Sequence, residues 1–76
     1  MSDRLPMLKA RDLIRVLKKL GFYEVRQKGS HICFKNDNGR FTLVPYHAGE
    51  DIDKGLLRQI LREINVSYEE FLNILK

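Results

Sequence analysis

The stretch FYEVRQKGSHICFKNDNGRFTLVPY, residues 22–46, decides the fold. It holds three short runs rich in β-branched and aromatic residues, separated by two turn signals. Gly29-Ser30 makes the first break. Asn36-Asp37-Asn38-Gly39 makes the second, and its Asn-Gly pair is a strong signal for a two-residue hairpin loop. The runs read as antiparallel strands over 22–28, 31–36 and 40–46. Pro45 has no N–H to give to a ladder, so the third strand is expected at a sheet edge or to finish near there.

The turns also suggest a register. An Asn38-Gly39 loop sets Phe34 opposite Leu43 and His31 opposite Tyr46. A Lys28-Gly29 loop sets Val25 opposite Ile32 and Arg26 opposite His31. Side chains alternate along a strand, so Tyr23, Val25, Ile32, Phe34, Phe41 and Leu43 are expected on a core face. Glu24, Arg26, Lys28, His31, Cys33, Lys35, Thr42, Val44 and Tyr46 are expected on an open, mostly polar face.

Helical patterns flank the strands. Leu13, Ile14, Leu17 and Leu20 recur at helical spacing within 8–20, and Gly21 follows in the position of a C-cap. Residues 1–7, with Pro6, read as a loose start. The loop over 47–52 contains Gly49. Asp53 is a fitting N-cap for a helix striped with Leu56, Leu57, Ile60, Leu61 and Ile64, ended by Asn65. Ser67 and Glu70 have capping-box spacing ahead of a last short helix over 68–75. The order is helix, three antiparallel strands, helix, short helix.

The chain has 76 residues, a length that fits one domain over 1–76 with a thin core and shallow, open sites. Its formal net charge is +4 and its pI about 9.5. That balance suits a polyanion, nucleic acid first. Cys33 is the only cysteine, so neither an intrachain disulfide nor a cysteine zinc site can form. No signal-peptide pattern and no long apolar run are present, so a cytoplasmic protein that does not span a membrane is expected.

The open face would gather Arg26, Lys28, His31, Lys35 and Tyr46. Arg and Lys hold phosphates, and imidazole moves protons near neutral pH. RNA carries its own nucleophile, the 2′-hydroxyl beside each phosphodiester. A histidine that removes that proton, or protonates the leaving 5′-oxygen, can cleave RNA without metal or cofactor. A histidine on a polar sheet face is more often an ordinary surface residue, and spacing alone does not promote His31. His47 can act as a second proton carrier, bind phosphate or simply order its turn. Gly29 and Ser30 are read as the structural turn. Lys54 and the start of its helix offer a phosphate site that Asp51 and Asp53 oppose. Arg11, Arg15, Lys18 and Lys19 form a basic helix face whose default reading is solvation.

Three elements in order carry a family resemblance: Gly29-Ser30-His31, then Val44-Pro45-Tyr46-His47, then Lys54-Gly55-Leu56-Leu57 running on to Ile60-Leu61. Together they resemble the HicA toxin family of bacterial toxin–antitoxin systems, also called YcfA-like, over about residues 8–64. The resemblance implies an α+β fold like the double-stranded-RNA-binding domain, α-β-β-β-α, with helices on one face of the sheet. It implies a ribosome-independent mRNA interferase whose catalytic histidine corresponds to His31. It also implies a HicB antitoxin that covers the active face; a monomer or weak dimer is expected when free. Leu56 departs from the small polar residue many relatives carry, and the 67–76 segment extends past the shortest members. The other readings are a non-catalytic RNA-binding module and an interaction protein that uses the sheet as a docking surface.

Overall fold

A computed structural model describes residues 8–47 and 51–76; the expected loose start and Gly49 lie outside them. The elements are α1 (Ala10–Lys19), β1 (Tyr23–Lys28), β2 (His31–Lys35), β3 (Phe41–Pro45), α2 (Lys54–Ile64) and α3 (Tyr68–Leu75). The strands form one antiparallel sheet in the order β1-β2-β3. This is the expected α+β architecture, compatible with the double-stranded-RNA-binding-domain-like fold, with one further helix.

Local chemistry sets the helix ends. Asp12 Oδ2 accepts from the Lys9 N–H (3.1 Å) at the start of α1. At the other end Phe22 N–H reaches Leu17 O (2.9 Å) and Gly21 N–H reaches Lys18 O (3.1 Å). Those two bonds are a Schellman closure, and Gly21 takes the positive φ (94°) that it requires. Asp53 Oδ2 accepts from Gly55 and Leu56 at the start of α2. Asn65 ends α2 in the left-handed region. Ser67 Oγ accepts from Glu70 N–H (3.0 Å) to start α3. A Lys9–Asp51 ion pair (2.8 Å) ties the lead-in of α1 to that of α2.

α1 and α2 cover one side of the sheet, and α3 packs on those two helices. Leu13, Val16 and Leu17 of α1, Leu57, Ile60, Leu61 and Ile64 of α2, and Phe71 of α3 are buried with Ile32 and Phe34 of β2 and Val44 of β3. Burying a side chain of this size contributes about 1.5–3 kcal/mol. β2 therefore has the expected alternation, with Ile32 and Phe34 inward and His31 and Lys35 exposed.

β3 overturns the expected register. His31 pairs with Pro45 and Phe34 with Thr42, one residue away from the pairing that a two-residue Asn38-Gly39 loop would give. The loop has three residues instead. Asn36 N–H donates to Arg40 O (3.0 Å), and Asn36 Oδ1 accepts from Asn38 N–H and Arg40 N–H. Gly39 absorbs the strain at φ 87°. A one-residue change exchanges the faces. Thr42 and Val44 are buried, while Phe41 and Leu43 stand exposed on the side expected to be polar. The buried Thr42 hydroxyl is satisfied by donating to Glu63 Oε1 (2.6 Å).

β1 departs differently. Gly29-Ser30, not Lys28-Gly29, is the first loop: Lys28 pairs with His31 and Arg26 with Cys33. This shift is two residues, so Arg26 and Lys28 keep their expected face. Val25 is then an extra residue between Glu24, paired with Phe34, and Arg26. That bulge reverses the first part of the strand, so Tyr23, paired with Lys35, joins the open face and Glu24 leaves it. Val25 is exposed rather than in the core.

Candidate functional site

Cross-strand partners share a face, so the ladder fixes what stands on the uncovered side of the sheet. Three rows cross it. Lys28, His31 and Pro45 form one row; Arg26, Cys33 and Leu43 the next; Tyr23, Lys35 and Phe41 the last. His31 is on the central strand, exposed. Directly opposed Cβ atoms are about 4.5–5.5 Å apart, and diagonal neighbours about 7–8 Å. Lys28 is thus the immediate neighbour of His31 and Arg26 the diagonal one.

Two shallow depressions meet at His31 and Leu43. One, of about 340 Å³, is lined by Arg26, Lys28, His31, Cys33 and Leu43. The other, of about 320 Å³, runs along the outer edge of β3 beside α2. The first is the cationic side of the histidine and the second is mostly apolar. Among the described residues Arg26, Lys28 and Lys35 form no ion pair, so their charges are available to a ligand. An imidazole between such cations and an open approach can exchange a proton with a bound phosphodiester.

The site is terminated by the hydrogen bond from Tyr46 N–H to Ser30 O (2.6 Å). Tyr46 and His47 are exposed and follow the end of β3, beyond the rows that carry His31. Gly29 supplies the turn beside His31 at φ 61°. The start of α2 offers its amides to Asp53 instead of a phosphate. Arg11, Arg15, Lys18 and Lys19 border a separate depression of about 450 Å³ along α1, on the helical side of the sheet.

Tyr23, Phe41 and Leu43 on this face were hidden by the expected register. The Tyr23 hydroxyl donates to Asp37 Oδ1 in the β2–β3 loop (3.2 Å). Its pKa is raised by desolvation first, then by that bond and by the charge of Asp37. A signal for the register did exist: Asn36 can cap its own loop and Gly39 ends it, the pattern of a three-residue connection.

No helix among the described residues is long and apolar enough to cross a membrane. No three His, Cys, Asp or Glu side chains among them are grouped to hold a metal ion. A search of curated proteins finds no match. A family model described as the HicA toxin of bacterial toxin–antitoxin systems matches residues 10–66. The match runs from the first residue of α1 to just past α2, and so includes every row of the open face and omits α3. The chain belongs to the HicA toxin family.

Proposed function

We propose that this toxin is an endoribonuclease that cleaves single-stranded mRNA in the cytoplasm, with His31 as its proton-transfer group. Family membership supplies the toxin role and an antitoxin partner. The observation that carries the finer reading is the position of His31, exposed at the first residue of the central strand on the uncovered face of the sheet, with Lys28 opposite and Arg26 diagonal.

The chemistry follows from the substrate. His31 takes the proton from a ribose 2′-hydroxyl as its oxygen attacks the adjacent phosphorus. The bond from phosphorus to the 5′-oxygen breaks, and that oxygen takes the proton back from the imidazolium. The products are a 2′,3′-cyclic phosphate and a 5′-hydroxyl, with no water consumed. Arg26, Lys28 and Lys35 hold phosphates and offset the charge that builds in the transition state. Tyr46 and His47 meet the strand beyond the end of β3. No step calls for a metal or cofactor, because the nucleophile belongs to the RNA.

The partner is a HicB-type antitoxin that inhibits by burying the cationic rows, where complementary acidic charge would speed encounter. The test is incubation of purified protein with single-stranded RNA in EDTA. Fragments ending in 2′,3′-cyclic phosphate are expected. RNA that is bound and stays intact would sink the proposal.

A further inference from the structure

The face bearing His31 is chemically graded. One flank has Arg26 and Lys28; the other falls into the groove between β3 and α2. That groove of about 320 Å³ is bordered by His31, Phe41, Leu43 and Pro45, with Gln59 and Glu63 among the α2 residues opposite. Phe41 is 60% exposed, the most exposed large apolar side chain among the described residues. Phe41 stands two rows from His31, at the far end of a groove that reaches it, and an exposed phenyl ring there can stack on a flat ligand.

The polar groups of the groove narrow the ligand further. Glu63 puts a carboxylate there, which repels phosphate. Its oxygens accept from Thr42 Oγ1 (2.6 Å) and from Gln59 Nε2 (3.3 Å). The Gln59 amide oxygen and its second N–H remain for a ligand, an acceptor and a donor side by side. An aromatic ring, apolar walls and the open donor and acceptor of that carboxamide suit an unstacked nucleobase, which pairs a flat face with a donor–acceptor edge. Arg26 and Lys28 lie across His31, on the side where the phosphates would run, and Lys35 stands next to Phe41 in its row.

We propose that the β3–α2 groove is a nucleobase subsite adjoining His31, in which Phe41 stacks on the base and Gln59 reads its edge. The inference rests on RNA being the ligand and deepens that reading by assigning the residues that set base preference. It also gives single strands an advantage, since a paired base cannot enter the groove.

The test uses full-length protein carrying His31→Ala, so that RNA is bound and not cut, with labelled single-stranded oligonucleotides and an abasic strand of equal charge. Phe41→Ala and Phe41→Leu are each expected to weaken binding of the base-bearing strand by roughly 5- to 150-fold. Phe41→Trp should hold it. Neither weakening substitution should change binding of the abasic strand. Gln59→Ala should flatten the preference among the four homopolymers. Equal affinity before and after Phe41→Ala, or an equal loss on the abasic strand, overturns the subsite. So does a Phe41→Ala protein that loses only antitoxin binding. Restoring His31 separates the two claims. Cleavage by Phe41→Ala with unchanged KM and base preference removes the subsite and leaves the nuclease reading intact. Base-dependent binding through Phe41 with no cleavage by the parent removes the nuclease reading and leaves the subsite.

Discussion

The two edge strands are held by different forces. β3 has Thr42 and Val44 buried and packs on α1 and α2. All six residues of β1 are exposed, and its packing is to β2. One edge is therefore fixed by the core and the other by its ladder, a two-residue turn and a bulge. Arg26 and Lys28 come from the second kind of edge, His31 from the strand between. The proposed phosphate contacts Arg26 and Lys28 sit where burial asks little of the sequence, and the imidazole starts the strand whose Ile32 and Phe34 are buried in the core.

The largest effect expected from this difference is on stability. Phe34→Ala, on the buried side of β2, should cost about 3–5 kcal/mol in denaturant unfolding, through lost burial and the cavity left. A domain with about 5–15 kcal/mol in total would be left marginal. A loss below 1 kcal/mol would mean that the helices do not clamp β2. Gly29→Ala comes next, at about 1–2 kcal/mol, because alanine resists the left-handed backbone there. No neighbour lies within 4 Å of an added Cβ, so the cost is conformational alone. Hydrogen exchange should show faster opening in β1 than in β3; equal acceleration in both would erase the distinction.

Smaller still in stability are Arg26→Ala and Lys28→Ala, each expected within about 0.5 kcal/mol of the parent. Their effect should appear in RNA binding, each reducing the dependence of log affinity on log salt by about 0.7 for a single strand. An unchanged slope would remove that residue from the phosphate contacts. The smallest effect is that of Tyr23→Phe. The Tyr23 hydroxyl stays protonated above its ordinary 10.0 in the folded chain. In that alkaline window the folded state binds more protons than the unfolded state, so stability falls as pH rises. Tyr23→Phe should flatten the fall in melting temperature above pH 10; an unaltered profile would assign it to other groups.

The same contrast explains what could be read from the sequence. The helices were legible because each is set by neighbours three or four residues apart and by a local cap: Asp53, Asn65 and Ser67 act where they were expected. β2 was legible because His-Ile-Cys-Phe-Lys changes polarity at every step. β3 was not, because Phe-Thr-Leu-Val offers an apolar side chain to either face. Its choice is made by the Asn36 loop and by Glu63, 21 residues from Thr42. The bulge at Val25 carries no glycine or proline to announce it. The cationic half of the candidate site could accordingly be assembled from spacing around Gly29-Ser30-His31. The groove half could not, because a two-residue loop turns Phe41 inward and Gln59 reaches β3 only through the packing of α2.

The most direct measurement of the central claim compares the parent with His31→Ala, using one single-stranded RNA to read cleavage in EDTA, affinity and thermal melting. Cleavage is expected to drop by about 10²- to 10⁴-fold, with affinity and melting unchanged. A variant that still cuts at the parental rate, or that loses binding in step with cutting, would contradict proton transfer by His31.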